Sequence, residues 1–86
     1  MWTIYVLHSQ KSGKRYVGMT ADVNRRLAEH NASKSKFTSG HVPWILIYTE
    51  TAGDSKQARQ REKYFKSAAG RKYIEQQLNR AGSLPE

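Results

Sequence analysis

The chain has no cysteine, two prolines and only seven acidic residues among its 86. Without cysteine it can form neither a disulfide staple nor a thiolate metal site, and that suits a reducing compartment. No apolar stretch approaches the ~20 residues that a bilayer-spanning helix needs. Met1-Trp2-Thr3 leads straight into a strand-like run with no charged segment before it, so no secretory signal is expected. These absences predict a soluble cytoplasmic protein with no membrane role. The scarcity of acid is the most telling lack. Against 15 lysines and arginines it leaves a formal net charge of +8. Such a balance favours polyanions, DNA or RNA, or a place beside the ribosome. Charge alone does not choose among them.

The length allows one domain, expected over 1–82, with 83–86 as a frayed tail. A domain of this size buries only about 60% of its unfolded surface, and its tryptophans, tyrosines and phenylalanines enlarge that modest core. Trp2 to His8 is apolar on both alternating faces and reads as a strand covered on both sides. The Ser9–Lys14 turn leads to a second short strand, Arg15–Met19, making a hairpin. Tyr16 and Gly18 share one face of that strand, and the glycine leaves room for a close approach to the backbone. Thr20 or Asp22 caps a helix reaching about Asn31, with Val23 and Leu27 as its buried stripe and Arg25–Glu29 as an exposed pair. Ala32–Pro43 reads as a long polar loop. Trp44–Tyr48 is the most apolar run and is expected to be a third strand buried on both faces, broken at Ala52-Gly53-Asp54. A helix from Ser55 to about Ala68 should face inward with Ala58, Glu62, Phe65 and Ala69. Gly70 should interrupt it before a last helix that carries Tyr73, Ile74, Gln77 and Leu78.

Five residues invite a chemical reading: Tyr5, Tyr16, Arg26, His30 and Glu62. Strand tyrosines commonly pack as cross-strand aromatics. If their hydroxyls converge at an accessible edge, a phenol can instead orient or deprotonate a water. Arg26 can pair with Asp22, or lay its planar fork on a phosphate. His30 can be a half-buried residue near a helix C-terminus, or it can bond a phosphate oxygen one turn from Arg26. Glu62 stands on an inward face among alanines and a phenylalanine, and an unpaired charge there costs several kcal/mol. It therefore needs either a basic partner or one Mg²⁺ or Mn²⁺ ion shared with waters and a substrate phosphate. His8, His30 and His41 are too scattered for a zinc motif. Lys11, Lys14, Arg15, Lys34 and Lys36 lie in the flanking segments, either as solvated charge or as phosphate contacts.

Thr3-Ile4-Tyr5, Tyr16-Val17-Gly18, Arg26 with His30, Trp44 to Tyr48, and Arg61-Glu62 occur in an order that resembles the GIY-YIG nuclease superfamily, and most of all its small stand-alone bacterial members. The resemblance implies an α+β fold, a three-stranded antiparallel sheet flanked by about three helices. It also implies divalent-metal-dependent hydrolysis of DNA phosphodiesters, in repair or recombination. Carried over by position, Tyr16 would be the base or water-orienting group and Tyr5 its support. Arg26 and His30 would act at the phosphate, Glu62 would hold the metal, and Gly18 would keep the site open. Asn79 is the nearest match to a late asparagine of the family, and His41 is a second marginal candidate. Thr3 stands where the family usually has glycine, and Val17 where it has isoleucine. Because family nucleases commonly take target choice from appended domains, a specificity-conferring protein partner is a further expectation. Two other readings stand beside the endonuclease: a nucleic-acid-binding module of the same fold without turnover, and a basic accessory protein in which the five residues are incidental.

Overall fold

A computed structural model describes residues 1–32 and 38–81. Lys34 and Lys36 and the expected tail 83–86 lie outside the described residues. Three strands, β1 (Trp2–Ser9), β2 (Arg15–Thr20) and β3 (Trp44–Ala52), form an antiparallel sheet in the order β2-β1-β3. The helices are α1 (Val23–Asn31), α2 (Ser55–Lys66) and α3 (Ala68–Ala81), with a single 3-10 turn at Ser39–His41. The expected α+β architecture is the one observed. No helix among the described residues is long and apolar enough to cross a membrane.

β1 lies in the centre, and its alternation sorts two cores. Ile4 and Val6 join Val17, Ala58, Phe65, Ile74 and Leu78 beneath α2 and α3. Tyr5 and Leu7 join Trp44, with Val23 and Leu27 of α1 packed against them. The central position is why the β1 run is apolar on both faces.

The same logic fails for β3. Trp44 is buried, but Ile45, Ile47 and Tyr48 are only half-buried and Leu46 is 36% exposed. As an edge strand it has one neighbour, and its apolar content overstates its burial. It also runs on through Ala52, with a register shift opposite Val6 and Leu7.

α1 starts where expected. Asp22 is extended, and its carboxylate accepts the Arg25 N–H at 3.1 Å. Arg25 pairs with Glu29 at 3.6 Å. The break between the last two helices falls at Ser67 rather than at Gly70. Ser67 is extended, and its hydroxyl accepts the Gly70 N–H at 3.2 Å, so it starts α3 instead of continuing α2. Gly70 sits inside α3, where a Cβ would overlap the Tyr64 carbonyl and the Phe65 backbone. Its role is close approach, not interruption. The shift in phase leaves Ala69 exposed rather than inward.

Candidate active site

Four elements contribute to the site. Tyr5 lies on β1, directly opposite Gly18 on β2. Tyr16 shares the Gly18 face. Arg26 and His30 come from successive turns of α1, and Glu62 comes from the middle of α2. The Tyr5 and Tyr16 ring centres are 6.2 Å apart, and Tyr16 is 4.9 Å from the His30 ring.

Gly18 explains the closeness. A Cβ there would fall on the Tyr5 hydroxyl and lie 2.6 Å from its Cζ. The room left by the glycine is therefore taken by the Tyr5 ring, which lies across β2. Tyr5 is 2% exposed, while Tyr16 is half-buried. Of the two phenols, Tyr16 is the one that solvent and substrate can meet.

Behind the phenols runs a chain of hydrogen bonds. The Tyr5 hydroxyl and His30 Nε2 are 3.1 Å apart. On the other side of the ring, His30 Nδ1 lies 2.8 Å from Thr38 Oγ1. The nearby Arg26 charge favours the ionised form of Tyr5. His30 is 0% exposed. Burial first, and the Arg26 charge second, hold its imidazole below the usual range, in keeping with a neutral ring. Burial also pushes the Tyr5 phenol up to about 12, against the pull of Arg26. Tyr5 therefore stays protonated at neutral pH.

This geometry revises the expectation that His30 acts at a phosphate. Both of its ring nitrogens are engaged inside the protein, so it holds Tyr5 in place. Arg26 keeps an open side. Its side chain is 34% exposed, and its acidic partner is Glu29, at 3.1 Å, instead of Asp22.

Glu62 is 16% exposed. It faces Arg59 and Lys66 at 3.8 Å each, beyond hydrogen-bond length. Its carboxylate adds the smallest of the contributions that raise the Tyr5 phenol. Among the described residues no three His, Cys, Asp or Glu side chains gather into a ligand cluster. A single carboxylate with loose cationic neighbours does fit an ion that keeps most of its waters.

Trp44 backs the cluster, its ring 6.4 Å from Tyr16. Its indole N–H donates to the Thr38 carbonyl at 3.0 Å. Asn31 clamps its backbone by accepting its N–H at 2.6 Å and donating to its carbonyl at 3.0 Å. The sequence reading missed Thr38 and Asn31, and it gave Glu29 to Arg25 alone. The pairing of Glu29 with Arg26 had a usable signal in its i,i+3 spacing.

The remaining expected residues are spread out. Lys11 and Lys14 are exposed on the hairpin turn. Arg15 starts β2 and reaches Glu75 at 3.7 Å. His41 Nδ1 is 2.9 Å from Ser12 Oγ, which ties the 3-10 turn to the hairpin. Asn79 is exposed on α3.

Comparison with known proteins bears on the family and the fold. The family described as GIY-YIG catalytic domain matches residues 1–75. A UPF0213 protein of Halobacterium salinarum is 41% identical over 63 residues, which cover 72% of this chain and 80% of the relative. One from Streptococcus agalactiae is 38% identical over 80 residues, covering 88% and 90%. One from Desulfotalea psychrophila is 35% identical over 63 residues, 71% of this chain but only 56% of the relative's length. Among solved structures, the solution NMR structure of a UPF0213 protein from Bacillus halodurans is similar, with a TM-score of 0.54 and 31% identity, covering 99% of this chain and 89% of that one.

Proposed function

Because the chain belongs to the GIY-YIG family, we propose that it is an endonuclease hydrolysing DNA phosphodiester bonds with one Mg²⁺ or Mn²⁺ ion. One observation carries the reading: the Tyr5 and Tyr16 rings, 6.2 Å apart, meet the His30 ring, 4.9 Å from Tyr16, although the three come from different elements of the fold, and Arg26 lies one turn before His30 on α1. A purely structural aromatic pair needs no such company.

In this reading Tyr16, the accessible phenol, orients the attacking water through a hydrogen bond and, in its ionised form, takes the water's proton to become the neutral phenol. Arg26 lays its guanidinium on the phosphate as charge builds there, exchanging part of its pairing with Glu29. Tyr5 and His30 are positioning residues that back the Tyr16 ring. Glu62 would hold the ion. When bound, the ion supplies charge neutralisation and a more acidic water. The cysteine-free composition suits a reducing compartment, so the proposal places the activity in the cytoplasm, with repair or recombination intermediates as substrates. A protein partner that confers target choice belongs to the same reading.

Purified protein with Mg²⁺ or Mn²⁺ should cut at least one of single-stranded, duplex or branched DNA. Tyr16→Phe and Glu62→Ala should each lower the rate by ~10²-fold or more while keeping the fold by circular dichroism. Wild type that leaves every DNA and RNA structure uncut, yet binds them, would overturn hydrolysis in favour of a non-catalytic binding module. The net charge of +8 already suits such a module.

A further inference from the structure

Two adjoining hollows, of about 370 and 480 Å³, run along the β2 edge beside α3. They share Arg15 and Arg71. The first is also walled by Tyr16, Val17 and Lys66, the second by Lys14 and Glu75. Tyr16 therefore belongs both to the candidate active site and to the mouth of this groove. Lys66 makes the same connection from α2, since it faces Glu62 at 3.8 Å.

Four cations meet one acid along these walls. The acid is Glu75, exposed, and 3.7 Å from the Arg15 guanidinium. Like charges that line the same walls repel. A polyanion lying between them relieves that repulsion and releases its own counterions. Guanidinium forks at Arg15 and Arg71 suit phosphate oxygens. β2 is an edge strand, and among the described residues no further strand covers this side.

We propose that this groove holds the nucleic-acid strand on one side of the scissile bond, with Arg15, Lys66 and Arg71 on successive phosphates and Glu75 competing for Arg15. The proposal rests on the nuclease reading for the position of the cut at Tyr16. It gives that site a direction: the substrate leaves Tyr16 along β2 toward the start of α3.

The test uses labelled DNA duplex without divalent ion, with binding followed by fluorescence anisotropy across a salt series. Arg71→Ala should weaken binding several-fold and lower the salt slope by about 1. Glu75→Gln should act in the opposite sense and tighten binding, because it releases Arg15. In cleavage assays Arg71→Ala should raise KM more than it lowers kcat. With duplexes truncated on one or the other side of the cut, the Arg71 defect should vanish for one truncation only. A wild-type salt slope in both Arg71→Ala and Arg71→Glu overturns the groove, and so does a defect that survives both truncations. The two readings fail separately. Cleavage that ignores Arg71 removes the groove and leaves the nuclease. Arg71-dependent binding without cleavage keeps the groove and removes hydrolysis.

Discussion

Ile4 and Val6 face α2 and α3, while Tyr5 and Leu7, their neighbours along β1, face α1. All four are almost fully buried. Under α2 and α3 the polar groups are closed on themselves. Glu50 accepts two hydrogen bonds from Arg61, at 2.6 and 3.0 Å, and a third from Tyr48 at 3.1 Å. The Arg61 guanidinium lies 4.8 Å over both Tyr64 and Phe65. Under α1 the chain from Thr38 through His30 ends at the Tyr5 hydroxyl, with the half-buried Tyr16 ring beside it. Arg61, though 40% exposed, is stacked on rings and spends two N–H groups on one carboxylate. A chain that ends beside an accessible phenol keeps that end available to a ligand. Equal burial along β1 therefore hides two different kinds of interior.

The sharpest way to break the distinction is to damage each side and compare stability with activity. Phe65, in the closed core, touches the Tyr48, Tyr64 and Tyr73 rings. Phe65→Ala should cost about 3–5 kcal/mol, a large part of what a small domain has. Urea denaturation should show the loss, and any activity should fall only with the folded fraction. Tyr16→Phe should do the reverse, leaving the urea midpoint nearly unchanged while cleavage disappears. If both variants lost stability and activity in proportion, the α1 face would be ordinary core.

Gly18→Ala tests the junction between the two kinds of interior. The added methyl collides with the Tyr5 ring, and Tyr5 cannot retreat without leaving His30. Overpacking of this sort costs about 1–3 kcal/mol. In a Tyr5→Leu background the collision is gone, so the penalty for Gly18→Ala should shrink. A double-mutant cycle measures the coupling. Simple additivity would mean that the glycine serves the backbone and not the ring.

These comparisons also show what the sequence could reveal. The hairpin, the Asp22 cap and the covered central strand were legible because alternation, turn residues and capping are local signals. The edge position of β3 was not, since the Trp44–Tyr48 run is as apolar as a central strand and strand order is a long-range property. Gly70 misled for a related reason. Glycine inside a helix marks either a break or a close approach, and only the position of α2 against α3 decides between them. Of the candidate site, Tyr5, Tyr16, Arg26, His30 and Glu62 could be named in advance, yet their division of labour could not. Which phenol is exposed, and whether an imidazole faces inward, depends on Gly18 yielding its space and on Thr38 arriving from a distant loop. Arg71 and Lys66 gave no sign of acting with Arg15, because β2 and α3 lie at opposite ends of the chain.

The smallest expected effect separates the two faces by pH. His30 is held below its ordinary value of 6.5 by burial and by Arg26, so the unfolded chain takes up a proton there before the folded one does. Stability should then be lost as pH falls below about 6.5, by no more than about 1.4 kcal/mol per pH unit for a single proton. On the other face the Arg61 hydrogen bonds hold Glu50 below its ordinary 4.5. Its contribution is complete above that value and is lost only as pH falls further, through the folded value. Urea midpoints taken from pH 8 to 3 should therefore fall in two stages. His30→Gln should flatten the upper stage alone, and Glu50→Gln the lower stage alone. A single stage that both substitutions move together would mean that the two sides of the sheet titrate as one network, and the distinction between a closed core and an open-ended site would not stand.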